Sequence, residues 1–240
     1  MKQLLTLSFC VFCSFAYGQK ALDVTSGAVH AGSFFLSVNG EPVLVAKFTK
    51  LVEGSPYFMD EWAKGDVVMP KGTTYKDIPL KLDLIDQEVR YKDDKEREFI
   101  ANSAIREIYL KGTDGISNYH FVHSSFLEKA EGMGKGWYQL LSSGEASLYK
   151  GYKKTVNENK PYGSATTEQR IQTTEQYIVL IGGKATTIKK IKELPSVLSA
   201  KKAEIEKFIS SDEQKSASME ERILASIAYF NTLIQAENKQ

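Results

Sequence analysis

The sequence predicts a β-rich α+β protein, an antiparallel meander or flattened sandwich of about ten strands with a C-terminal α-helical hairpin packed on it. Three observations predict it. Apolar and polar residues alternate over most of the chain before Leu194, and turn dipeptides interrupt that alternation at short intervals. After Leu194 the apolar spacing changes to three and four residues.

The chain opens with Lys2, an uncharged run over 4–16, and Ala16-Tyr17-Gly18 before Gln19. That order of basic, apolar and small-x-small segments reads as a secretory signal peptide over 1–18, cut between Gly18 and Gln19. The apolar run is shorter than the roughly 20 residues that cross a bilayer, and no later segment is more apolar, so no transmembrane span is expected. Phe9 and Phe12 stand where a lipobox before Cys10 or Cys13 needs a small residue. Both cysteines leave with the signal, so the exported chain is expected to have no disulfide, thiolate nucleophile or cysteine metal ligand.

The strand region is read over 19–193. Runs at 33–38 and 43–48 flank Asn39-Gly40, a dipeptide suited to a tight hairpin, with Pro42 marking an edge. Leu80, Leu82 and Leu84, then Val89 and Tyr91, alternate with charged residues and read as half-buried strands. Further strands are expected over 105–110 and 119–122, around the turn Thr113-Asp114-Gly115. A hairpin is expected over 137–141 and 146–153, turning at Ser143-Gly144, and another over 177–181 and 185–191, turning at Gly182-Gly183. Short turns without helical crossovers imply antiparallel pairing throughout. The polar segment 157–174 reads as a long loop or, equally, an extra polar edge strand.

A helical hairpin is read over 194–240. Pro195 suits a first helical position, and Val197, Leu198, Ile205, Phe208 and Ile209 share one side of a helix ending near Ser210. Ser218 and Glu221 form an S-x-x-E capping box, followed by a stripe of Met219, Ile223, Ile227, Phe230 and Ile234. Two helices alone bury little surface, so the pair is expected to dock on the sheet.

Without Lys2 the chain carries 30 Lys and Arg against 30 Asp and Glu. That balance argues against nucleic acid or anionic lipid as the main partner. The lysines at 189, 190, 192, 201 and 202 are offset by Glu193, Glu204 and Glu206 and read as a solvated face. His120 and His123 lie three apart in a strand, point to opposite faces and cannot share a metal, and His30 is remote from both. No G-x-S-x-G occurs, and the glycine-rich 132–136 leads into a strand where a phosphate loop needs a helix. No catalytic residue, metal ligand or cofactor is therefore assigned. Asp83, Asp86 and Glu88, Asp60 and Glu61, and Asp93 and Asp94 are close in sequence, with Asp83 on the polar side of its strand and the other aspartates of the first and last groups in turns. The binding candidates are aromatic: Tyr57, Phe58, Trp62, Trp137 and Tyr138, a potential stacking surface for a sugar or peptide.

Three sequence elements carry a resemblance. They are Gly54-Ser55-Pro56-Tyr57-Phe58-Met59-Asp60-Glu61, then Gly65-Asp66-Val67, then Ile78-Pro79-Leu80-Lys81. Together with the C-terminal helical pair, they resemble a group of exported proteins of Bacteroidota that share a G-S/T-P-Y-F/L-x-D/N-D/E element. That group has no established activity, so the resemblance implies a bacterial, extracytoplasmic address and carries over no catalytic residue. It also implies that Gln19 cyclises to pyroglutamate.

The functional expectation is a non-enzymatic binding or structural module at the cell envelope, with a protein, peptide or glycan as partner. One alternative is a secreted glycan hydrolase pairing Asp83 with Asp60 or Glu61. Another is a small-ligand sensor or accessory protein whose ligand sits between the sheet and the helical pair.

Overall fold

The computed structural model describes residues 28–29, 34–35, 37–42, 48–211 and 216–238. The signal segment 1–18 with its Gly18-Gln19 cleavage pair, His30 and residues 43–47 of the strand expected over 43–48 lie outside the described residues. The strands are β1 (Ala28–Val29), β2 (Glu41–Pro42), β3 (Thr49–Glu53), β4 (Ala63–Val68), β5 (Thr74–Asp83), β6 (Glu88–Lys92) and β7 (Glu98–Ile100). They continue as β8 (Glu107–Lys111), β9 (Asn118–His123), β10 (Trp137–Ser142), β11 (Ala146–Asn159), β12 (Thr167–Ile181) and β13 (Lys184–Ile188).

All belong to one open, mixed sheet in the order β13-β12-β11-β10-β9-β8-β4-β5-β6-β7-β2, with β1 beside β5 and β3 beside β12. β4 starts in the middle. A meander runs from β4 through β7 to one side; the chain then returns to the free edge of β4 and a second meander, β8 to β13, runs to the other. Each turn-linked pair is antiparallel, as expected. The pairings of β1 with β5 and of β3 with β12 are parallel, which corrects the expectation of antiparallel pairing throughout. These partners are far apart in sequence, so no short turn dictates their direction.

The hairpin expected around Asn39-Gly40 does not form. Asn39 does adopt a positive φ of 47°, but Phe34, Phe35 and Ser37 are helical, and β2 pairs with β7. Packing explains the change: Phe34 is fully buried against Tyr75 and Tyr91, with ring centroids 5.3 and 5.2 Å away, and a helical turn delivers it there. Pro42 sits on an edge strand, where its missing N–H costs nothing.

The polar segment 157–174 is mostly paired strand. β11 and β12 stay in register from Ala146 opposite Ile181 to Asn159 opposite Glu168, so the loop between them is short. Gly182 and Gly183 turn from β12 into β13 with φ of 55° and 81°, the values that a two-residue hairpin demands.

Two large cores divide the molecule. The first lies inside β4, β5, β6, β8 and β9, where Val67, Ile78, Leu80, Leu82, Ile108, Leu110 and Phe121 are essentially inaccessible. The second lies between β11 to β13 and the C-terminal helices, around Leu148, Val179, Leu194, Ile205, Ile223, Ile227 and Phe230. A smaller cluster on the reverse face joins Tyr138, Tyr149 and Ile178 to Leu127 and Met133 of the β9–β10 connection.

The first predicted helix is broken. A 3-10 turn (Ile191–Glu193), one helical turn (Leu194–Val197) and another 3-10 turn (Ser199–Lys201) precede α1 (Lys202–Ile209). Leu198 and Lys201 leave the helical region, at ψ of 48° and 39°. The bend carries the chain round the β13 end while Leu194, Leu198 and Ile205 all stay fully buried. The second helix, α2 (Met219–Glu237), forms with the expected box: Ser218 Oγ accepts the Glu221 N–H, and Glu221 accepts the Ser218 N–H at 2.8 Å. Its stripe is buried from Ile223 to Phe230, whereas Met219 at the first position is exposed.

Candidate functional site

A concavity opens where three connections meet: the β5–β6 turn, the β7–β8 crossover and the β9–β10 connection. It encloses about 550 Å³. Val89, Ile105, Phe126 and Trp137 supply apolar walls, while Asp86, Glu88, His123 and Lys135 supply charge or proton exchange. Cavities of this size and mixture are typical of small-ligand sites.

Gln87 holds the cavity together. It sits in the β5–β6 turn at a positive φ of 58°. Its side-chain oxygen accepts the Trp137 N–H at 2.7 Å, and its amide donates to the Leu84 carbonyl at 2.7 Å. These bonds tie the β5–β6 turn to the start of β10. Gly136 makes that approach feasible, because a Cβ there would lie 2.5 Å from the Gln87 oxygen. The β9–β10 connection is pinned behind the cavity by the Gly136 N–H, which donates to Ser124 Oγ at 3.0 Å.

The charges are unequally placed. Asp86 and Glu88 come from the β5–β6 wall, and His123 and Lys135 from the β9–β10 wall. Burial, and next the neighbouring Asp86 carboxylate, pushes the Glu88 carboxyl above its ordinary value. Burial, and next Lys135, pushes His123 below its ordinary value, so its imidazole is neutral at pH 7. The ring meets Trp137 edge-on at 5.1 Å between centroids, and its Nδ1 accepts the Ser125 N–H at 3.4 Å.

The structure distributes the five aromatic candidates among four surroundings. Trp137 lines the cavity. Tyr138 turns to the reverse face, where its hydroxyl donates to the Gly134 carbonyl at 3.1 Å. Phe58 points inward, edge-on to Tyr119, Phe121 and Tyr152 at 4.9, 4.7 and 5.3 Å. Tyr57 and Trp62 remain together beside the cations of β5 and β6: Lys81 lies 4.7 Å from one ring centroid and 5.3 Å from the other. Arg90 approaches Tyr57 at 5.3 Å and Lys92 approaches Trp62 at 5.1 Å, so cations already crowd both rings.

Asp83 corrects an expectation. It is 1% exposed, not on a wet face, because the segment 56–58 pairs with the end of β5 through Phe58 N–H to Leu82 O and Leu84 N–H to Pro56 O, each 2.9 Å. One Asp83 oxygen accepts the N–H groups of Ile85 and Asp86, and the other accepts from Arg90 at 3.0 Å. Asp60 accepts the Ser55 hydroxyl. His120 and His123 part as expected: His120 stacks on Tyr109 at 4.1 Å and bonds Glu107 at 2.9 Å, outside the cavity.

Glu88, His123 and Lys135 were not singled out as a set by sequence reasoning, because they lie on connections that meet only when the sheet curls. The available signal was the D-x-E pair across the β5–β6 turn. Among the described residues, no group of three or more His, Cys, Asp or Glu is placed to hold a metal ion, and no helix is long and apolar enough to cross a membrane. Compared with known proteins, the chain matches no family model, no curated protein and no solved structure.

Proposed function

We propose that this chain is an exported binding module of the bacterial envelope that holds a short peptide, or another small zwitterion with an apolar body, in the cavity between β6 and β10. The observation that carries this reading is the division of charge within one apolar cavity, Asp86 and Glu88 on one wall and Lys135 on another. A ligand amine offsets the burial and the Asp86 repulsion that together raise Glu88, and a ligand carboxylate finds Lys135, while Trp137 and Phe126 take the apolar part. The hydrolase reading draws no support from Asp83, whose oxygens are engaged by the protein itself. A ligand between sheet and helices draws none either, since Ile223, Ile227 and Phe230 fill that interface.

The test is calorimetric titration of the chain from Gln19 onward with apolar dipeptides, their N-acetylated and C-amidated forms, and neutral oligosaccharides. Free dipeptides bind; acetylation weakens binding, as does Glu88→Gln, and amidation weakens it, as does Lys135→Glu. Binding that ignores both blocked ends, or a preference for the oligosaccharides, removes the proposal. Export is tested by intact mass of the native protein, which should begin at Gln19 and lack one ammonia.

A further inference from the structure

A second cavity, of about 420 Å³, lies under the segment 55–60, which packs over β11 and β12. Phe58, Met59, Leu84, Tyr119, Tyr152, Lys154, Thr173 and Glu175 line it. It shares no lining residue with the first. We propose that it is a binding site for a monocarboxylate with a flat apolar body, an arenecarboxylate in chemical class, with Lys154 as the anion-binding group.

The argument starts from the strand register. Lys150, Tyr152 and Lys154 project from the same face of β11, opposite Tyr177, Glu175 and Thr173 of β12. Lys150 is paired with two carboxylates: its ammonium lies 2.8 Å from both Glu175 and Glu220. Lys154 is treated differently. Its one protein hydrogen bond among the described residues is to the Tyr57 carbonyl, at 3.0 Å, and it has no carboxylate within ion-pair distance there. An ammonium has three donors, so two are left for a ligand.

The nearest acidic groups are already spoken for. Asp60 and Asp83 act on Lys154 through space, but Asp60 accepts from Ser55, Asp83 from Arg90, and Glu175 from Lys150. Burial pushes the Lys154 ammonium below its ordinary value, as expected of a cation lacking a close counter-charge. An arriving carboxylate supplies that counter-charge. The Phe58, Tyr119 and Tyr152 rings supply the apolar wall, held rigid by their edge-on contacts and by the Tyr152 hydroxyl bonded to Gln139 at 2.5 Å.

The experiment titrates the protein with naphthoate and with its uncharged isostere naphthamide, followed by NMR of the tyrosine and methionine side chains. Naphthoate is expected to bind about tenfold or more tightly than naphthamide, as one charge-assisted hydrogen bond allows, and to shift Tyr119, Tyr152 and Met59. Lys154→Met should bring naphthoate down to the affinity of the amide, and Lys154→Arg should keep most of the difference. Equal affinities for acid and amide in the wild-type protein overturn the proposal without any variant having to fold. So does naphthoate binding that shifts Trp137 and His123 in place of the tyrosines.

Discussion

The two ends of the sheet bury their apolar faces by different means. From β4 to β9 the sheet curls around its own side chains, leaving a wet outer face where Tyr109, His120 and Glu107 meet. From β10 to β13 it is covered on one face by the helices and on the other by Leu127 and Met133 of the β9–β10 connection. A curled sheet leaves an opening where its ends approach, and both cavities border the curled part. Beneath the helices the covered part is filled, so the polar groups there serve to fix the cover in place.

Asn231 illustrates that fixing. It is buried on α2 and makes two 2.9 Å hydrogen bonds to the Ala146 backbone, one to its N–H and one to its carbonyl. The side chain thereby completes the pairing at the start of β11. Lys150 does a similar task nearer the middle of the sheet, linking β11 and β12 to the first turn of α2 through Glu175 and Glu220, with the Tyr177 hydroxyl also donating to Glu220 at 2.8 Å.

The comparison predicts a graded set of outcomes. The largest effect belongs to the cores. Phe230→Ala and Phe121→Ala should each cost about 3–5 kcal/mol in chemical denaturation. They should differ in hydrogen exchange, with Phe230→Ala releasing the amides of β12 and β13 first and Phe121→Ala those of β8 and β9. Identical exchange patterns would show that the two ends open as one unit. Next comes Asn231→Ala, which orphans two buried backbone groups and should cost about 2 kcal/mol or more by the same measurement. Ser218→Ala should cost about 1 kcal/mol through the lost cap, and Ser218→Asp should restore it.

Acid gives the smallest effect. Burial pushes the Glu220 carboxyl up, but hydrogen bonds from Lys150 and Tyr177 outweigh it and hold the group below its ordinary 4.5. Its contribution is therefore present above pH 4.5 and lost as pH falls through the lower folded value. Glu220 is 34% exposed, so the loss should be no more than about 1 kcal/mol after solvent screening. Thermal melts between pH 7 and 3 measure it. Glu220→Gln should flatten that part of the profile; an unchanged profile would assign the acid sensitivity to other carboxylates.

Much of the architecture is legible in the sequence. The alternation of Leu80, Leu82, Leu84, Val89 and Tyr91 states which side of β5 and β6 is dry, and all five are buried. Gly182-Gly183 states a tight turn, and Ser218 with Glu221 states where α2 begins. These features are local: a pleat, a turn and a cap are each decided by residues within a few positions of one another. The helical Phe34 and Phe35, the parallel β1 and β3 pairings and the burial of Asp83 were not legible. Each depends on a partner tens of residues away whose surface outweighs local preference.

The amino-acid sequence by itself determined the strand-rich class, the positions of most turns and the docking stripe of α2, because periodicity records which face each residue must bury. Only the tertiary structure decided the sites. Gln87 meets Trp137, and Lys154 meets Tyr57, because the sheet curls and the segment before β4 folds over it. Curl is a property of the whole sheet, accumulated strand by strand, and no single stretch of sequence encodes it.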